Sequence, residues 1–244
     1  LSDWSSDVCS SDLPPSVYYR RRIAEEVDAG EPELDLLPEL VRRGSTAVDV
    51  GANQGFFSFA LAQHAAQVVA FEPNPDYALF ARWMLRGHAE VMRYAISDRS
   101  GRATFHVPIS KEGMVLHLAG SLKGDFPQFS EIRTYDVEIR PLDSFKLKDV
   151  SFIKVDVEGA EREVLDGAKE TIARDRPVLV LELLSGTHEN PHDLTAAICR
   201  DFGYDAFVLK GRDKLPALPT IAALGQNSTY NTHLITRNVL FLPR

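Results

Sequence analysis

The window Ala47–Ser58, A-V-D-V-G-A-N-Q-G-F-F-S, constrains the fold of this chain more than any other stretch. A short run containing Val48 and Val50 enters a turn carrying Gly51, Asn53 and Gly55, and an apolar helical pattern starts at Phe56. Strand, tight turn and helix start, in that order, mark the place where open α/β sheets bind nucleotide-like cofactors. Glycine reaches backbone conformations closed to other residues, and asparagine is the type that next best tolerates the left-handed region. Gly51 and Gly55 are therefore expected to let the backbone approach a ligand closely, with Asn53 holding the turn. The turn is not the G-x-G-x-x-G of dinucleotide enzymes. It carries Asp49 two residues before its first glycine, which suits a cofactor with a cationic amino-acid end better than a pyrophosphate.

Composition limits the alternatives. With 244 residues, 44% of them hydrophobic and 25% charged, the chain has enough apolar material for one large α/β domain. A net charge of −8 argues against a nucleic-acid surface, which would need a basic face. No apolar run approaches the roughly 20 residues of a spanning helix. The two cysteines, Cys9 and Cys199, suffice for neither a disulfide framework nor a cysteine-rich zinc site, and a reducing cytoplasm is the expected compartment. Leu1–Leu13 lacks a starting methionine, repeats S-S-D and resembles translated adapter sequence. It is set aside as a non-native or disordered tail, leaving 14–244 as a single domain. The oligomeric state is not legible.

The remaining chain alternates strands and helices. Val17–Val41 is patterned as one or two helices broken at Gly30–Pro32, so that about 14–44 forms a helical cover over the sheet. Strands are expected at Thr46–Val50, Gln67–Glu72, Glu90–Ala95, Ser151–Val157 and Val178–Leu183, and helices at Gly55–His64, Glu158–Ala173 and His192–Phe202. Ala103–Val107 and Thr134–Arg140 alternate like half-exposed strands, around an irregular insertion at about 108–133 whose Gly113–Ser130 core has the character of a lid or binding loop. Asp205–Lys210 and Asn238–Leu242 close the chain. The sum is a doubly wound, Rossmann-like α/β sheet, mainly parallel.

Two clusters carry the chemistry. Glu72 ends the second strand beside the glycine turn, where a carboxylate can accept hydrogen bonds from both ribose hydroxyls of an adenosine cofactor. Ser97 and Asp98 follow the third strand, where an adenine edge would lie, although Ser-Asp-Arg-Ser-Gly is also a good generic turn. The second cluster is F-I-K-V-D-V-E-G-A-E, Phe152–Glu161. Lys154, Asp156 and Glu158 are spaced by two and project to one side while the chain stays extended. Charge in an apolar strand needs a reason, because unpaired burial is costly. For Lys154 the reason is a salt bridge, whereas Asp156 and Glu158 are placed at the reactive end of the cofactor. Glu182 adds a carboxylate at the same rim, and His188 in the following loop is a possible base.

These pieces together resemble the FkbM family of S-adenosylmethionine-dependent methyltransferases. The matching stretches are V-D-V-G-A-N-Q-G, A-F-E-P-N-P, A-I-S-D, P-L-D-S-F, I-K-V-D-V-E-G-A-E-R-E-V-L-D-G-A and R-P-V-L-V-L-E, with N-V-L-F-L-P near the end. The helix after E-P-N-P departs from the family, which often shows asparagines there, and reads A-L-F-A-R-W-M-L-R-G-H. The resemblance implies a seven-stranded class I methyltransferase sheet with its last strand antiparallel, S-adenosyl-L-methionine as cofactor, and methyl transfer commonly to a hydroxyl. It places Asp49, Gly51, Asn53 and Gly55 around the methionine part, Glu72 on the ribose and Asp156 near the sulfonium. A small-molecule or glycan hydroxyl is the implied acceptor. Such a hydroxyl must lose its proton, and Glu158, Glu182 and His188 are the candidate bases, in that order. A divalent ion on Asp156 and Glu182 would serve the same end, though the spacing singles out no metal site. Two other classes share parts of the pattern: a nicotinamide-dependent oxidoreductase, which should show G-x-G-x-x-G, and a non-catalytic cofactor-binding protein.

Overall fold

The structure, a computed structural model, describes residues 14–29, 31–111, 113–116, 120–124, 126, 129–183, 190–224 and 237–244. Its frame is an eight-stranded sheet. At the centre lie β1 (Thr46–Val50) and β7 (Val150–Val155), parallel neighbours with Val48 opposite Ile153. On one side of them follow β2 (Gln67–Phe71) and β3 (Glu90–Met92), both parallel. On the other side β8 (Val178–Glu182) is parallel, and β11 (Asn238–Pro243) then runs antiparallel to both β8 and β9 (Tyr204–Lys210). The expected seventh strand is this antiparallel one. An eighth, β10 (Asp213–Pro216), is a short exposed edge folded back on β9, which sequence alternation over four residues does not announce.

Strands buried on both faces send alternate side chains into two separate cores. Val48, Val50, Ile153, Val155, Leu179 and Leu181 face α5 (Glu161–Asp166), α6 (Lys169–Asp175), α7 (Pro191–Phe202) and α8 (Ala217–Leu224). Ala47, Phe152 and Val180 face the opposite way, toward Leu34, Leu36, Leu37, Leu40, Phe57 and Leu61. That second face is covered by α1 (Pro15–Ala29), one turn of 3-10 helix at Pro32–Leu36, α2 (Leu37–Leu40) and α3 (Phe56–Leu61). Asp49, Lys154 and Glu182 share the register parity of the covered face, at the carboxyl ends of three adjacent strands.

Several boundaries differ from the sequence reading, each for a local reason. The third strand stops at Met92, because the chain turns at Tyr94, whose amide bonds the Met92 carbonyl. Ala95–Ile96 (β4) then joins a separate three-stranded sheet with β5 (Gly101–Ile109) and β6 (Glu131–Arg140). The hairpin strands β5 and β6 are longer than their alternation suggests and take in both ends of the expected 108–133 insertion. The helix expected over Glu158–Ala173 starts only at Glu161, since Glu158 and Gly159 have φ of 52° and 100°. It breaks again at Gly167, where a side chain would meet the Ser97 carbonyl oxygen at 2.0 Å. α4 (Pro75–Met84) is capped by Asn74, whose Oδ1 accepts the Asp76 amide at 3.1 Å.

Candidate active site

A cleft runs over the carboxyl ends of β2, β1, β7 and β8, lined also by residues of the N-terminal cover and of β5. Glu72 lies at one end, just past β2, and is almost fully buried. Its Oε2 accepts the Asn53 amide at 2.7 Å and its Oε1 the Asn74 amide at 2.8 Å, so the carboxylate is clamped in one orientation. Burial pushes its pKa up to about 7 against those two bonds. Asn53 adopts φ 52° as its residue type permits, and its Oδ1 accepts the Gln54 amide at 2.7 Å.

The glycines of the turn serve the protein's own packing as much as any ligand. Gly51 has φ 85°, and a Cβ there would stand 1.7 Å from the Asp156 carbonyl oxygen. Bare backbone at Gly51 is therefore what lets the end of β7 close against the β1 turn. Gly55, at φ 87°, is absent from the cleft lining, and a Cβ on it would meet Leu85 Cδ1 at 2.7 Å and Tyr19 Oη at 3.1 Å. The sequence reading gives both glycines to ligand approach, and of the two Gly51 lines the cleft.

At the other end five ionisable groups meet, Asp49, Lys154, Asp156, Glu182 and Arg237. Asp49 is buried and accepts the Ser58 hydroxyl at 2.5 Å, and burial raises its pKa to about 6 against that bond and the charge of Lys154. Lys154, only 2% exposed, reaches Asp156 Oδ2 at 3.2 Å and lies 5.5 Å from the centre of the Phe57 ring. Burial works against its charge, but Asp156, Glu31, Glu182 and Glu33 around it hold its pKa above the ordinary lysine value. Burial likewise opposes the charge of Asp156, yet Lys154 and a hydrogen bond with Glu182 hold its pKa down. Glu182 is the partner that keeps the proton: burial, then the Asp156 charge, raise its pKa. Arg237 Nη1 stands 3.8 Å from Glu182 Oε1.

Lys154, Asp156 and Glu158 do not all share an extended strand. β7 ends at Val155, and Glu158 enters the cleft through its left-handed turn. Burial, then Asp156 and Glu161, push the Glu158 pKa up to about 7. Asp156, Glu158 and Glu182 each bring one carboxylate oxygen within 4.8 Å of the others. This is a ligand set a hard divalent ion can use. The segment between β5 and β6 also takes part: Ser121 Oγ donates to the Glu158 carbonyl at 2.7 Å, and Gly120 and Leu122 line the cleft.

Ser97 and Asp98 are not among the lining residues. Ser97 Oγ bonds Asp98 Oδ1 at 3.1 Å and Asp98 pairs with Arg99 at 3.0 Å. At their station the wall is Tyr94, Ala95 and Ile96 instead, with Phe105 from β5 near them. His188 lies outside the described residues. Sequence reasoning passed over Arg22, Glu26, Glu31 and Arg237, which line the cleft from the cover and from the residue before β11. No motif marks them; Glu31 sits in the Gly30–Pro32 break, which reads as helix punctuation.

The methyltransferase FkbM domain matches this chain over residues 49–206. 2-O-methyltransferase NoeI of Sinorhizobium fredii is 34% identical over 146 residues, which are 53% of this chain and 59% of NoeI, so the chain spans about three fifths of that relative. Methyltransferase FkbM from Methylobacillus flagellatus aligns in structure at 16% identity and a TM-score of 0.48, over 98% of this chain and 60% of that one. A methyltransferase from Geobacter sulfurreducens aligns at 13% identity and a TM-score of 0.46, over 100% and 98% of the two chains. Among the described residues no helix is long and apolar enough to cross a membrane.

Proposed function

The chain belongs to the FkbM methyltransferase family, and from that premise we propose that it carries a methyl group from S-adenosyl-L-methionine to a hydroxyl of a glycan, glycolipid or natural product. The observation that supports this most is the meeting of Glu72, the Gly51–Asn53 turn and Asp156 along one cleft. The donor set fits such a cofactor. Glu72 offers a fixed carboxylate to a diol, Tyr94 and Phe105 offer aromatic surface to a base, and the acid excess at Asp49 and Asp156 suits a molecule with two cationic centres. When bound, the cofactor supplies an electrophilic methyl on a sulfonium. The name of NoeI, a 2-O-methyltransferase, supports an oxygen acceptor.

The protein's share of the reaction is alignment and proton removal. Glu158, whose pKa burial pushes up to about 7, is suited to take a hydroxyl proton as the oxygen becomes a nucleophile. Asp156 stays ionised beside Lys154, while Glu182 holds a proton it shares with Asp156. The same three carboxylates fit a divalent ion, which would supply a lowered hydroxyl pKa in place of a base.

Incubation of the protein with S-adenosyl-L-methionine and a panel of methyl glycosides, read by mass spectrometry, tests the activity. S-adenosylhomocysteine should also appear in extracts of the purified protein. Glu158→Gln should lower kcat about 100-fold while cofactor affinity holds within a few-fold. Should that variant turn over at the full rate, Glu158 is not the base.

A further inference from the structure

Two buried polar atoms on side chains that line the cleft lack partners within the protein, and they are opposite in kind. Arg22 Nε on α1 and Glu31 Oε2, between α1 and the 3-10 turn, are buried without a hydrogen-bond partner. Both residues line the cleft, Glu31 is only 7% exposed, and both come from the N-terminal cover. An orphaned buried donor or acceptor costs about 1–3 kcal/mol, more if charged, so two on side chains that line one cleft call for an explanation. The acids of the strand ends are already engaged, Asp49 by Ser58, Glu72 by two amides and Asp156 by Lys154. Arg22 is held in place by Glu26, 2.5 Å from its Nη2, by Glu25, 3.7 Å from its Nη1, and by the Phe56 ring, 6.0 Å from its Cζ, while its buried Nε–H has no partner.

We infer that Arg22 and Glu31 bind the α-amino-acid end of the cofactor, Arg22 Nε–H donating to its carboxylate and Glu31 Oε2 accepting from its ammonium. The inference rests on the cofactor assigned above and adds a subsite outside residues 49–206, the span that the family pattern covers. A zwitterion satisfies a spare cationic donor and a spare carboxylate together, and matches each in charge. Its position agrees with the rest of the cleft. With the ribose at Glu72 and the sulfonium toward Asp156, the amino-acid end remains for the lining residues Arg22, Glu26, Glu31 and Phe56. Burial raises the Glu31 pKa, and a bound ammonium would draw it back down.

The test compares two ligands that differ in that end alone. S-adenosylhomocysteine carries the amino-acid group, and methylthioadenosine keeps the adenosine and the sulfur without it. Calorimetry on the full chain should show Arg22→Gln and Glu31→Gln each weakening S-adenosylhomocysteine about tenfold or more, with methylthioadenosine within twofold of wild type. Thermal melts establish that both variants are folded, and Arg22→Lys, which keeps the charge but loses Nε–H, should behave like Arg22→Gln. Unchanged S-adenosylhomocysteine affinity in folded variants overturns the subsite, as does an equal loss for both ligands, which would mark a structural role. If wild-type protein binds neither ligand, the cofactor assignment itself falls, and the subsite with it.

Discussion

The two walls of the cleft are built on different terms. On the strand-end wall, Asp49, Glu72 and Asp156 each have a partner inside the protein, and the backbone does much of the holding: two amides clamp Glu72, and the Gly51 turn packs on the Asp156 carbonyl. On the cover wall, Arg22 and Glu31 keep buried atoms without partners. The first wall is complete before any ligand arrives, whereas the second is left for a ligand to complete. Orientation therefore comes from the sheet, where register and hydrogen bonds leave little freedom, and a share of affinity is assigned to the cover.

The sharpest break of this contrast lies at Gly51. Gly51→Ala puts a methyl 1.7 Å from the Asp156 carbonyl oxygen at a φ of 85°, so the turn and β7 must part. A loss of about 3 kcal/mol or more in denaturant unfolding is expected, enough to lower soluble yield. A variant as stable as wild type would mean the strand-end wall is not rigid.

Glu72→Ala comes next. It removes the ribose acceptor and strands the Asn53 and Asn74 amides, and calorimetry should show S-adenosylhomocysteine weakened by about 100-fold. An unchanged affinity would take Glu72 out of the site.

A smaller effect concerns pH. The folded-state pKa values of Asp49, Glu72 and Glu158 are raised to about 6, 7 and 7, so the fold prefers their protonated forms. The stability this gives is full below their ordinary values near 4 and is lost as pH rises through 6–7. Asp156 has the opposite sign, its contribution being lost only as pH falls below the usual carboxylate range. The free protein should therefore melt at a higher temperature at about pH 5.5 than at about pH 8. A melting temperature that climbs from the lower pH to the higher would contradict the buried-acid account of this wall. The smallest change is expected for Asp98→Asn, which lies outside the lining and pairs with Arg99 on the surface. It should move stability by less than about 0.5 kcal/mol and leave cofactor affinity within about twofold.

Much of this was legible without coordinates. The strands at Thr46–Val50, Gln67–Phe71 and Val178–Glu182 stand within a residue or so of where hydrophobic runs and turn residues put them, because a strand buried on both faces has no choice but to be apolar. Glu72 and Asp156 were likewise readable, since a charge at the end of such a run stands out. What failed was local and tertiary in origin. The sequence reading starts a helix at Glu158 and sets its side chain on one side with Lys154 and Asp156, but its position is set by a left-handed turn at Glu158 and Gly159. The sequence puts Ser97 and Asp98 after the third strand, where an adenine edge would lie, whereas the turn at Tyr94 sends the chain into a second sheet and presents Tyr94–Ile96 to the cleft.

By itself the sequence determined the wound sheet, the order of its strands along the chain and the acids at the strand ends, because alternation, β-branching and glycine turns act over a few residues. Only the tertiary structure decided which of those acids share a proton, that Gly51 exists to admit a carbonyl, and that Arg22 and Glu31 meet in the cleft. Such facts depend on atoms brought together from distant parts of the chain, and no spacing in the sequence records that distance.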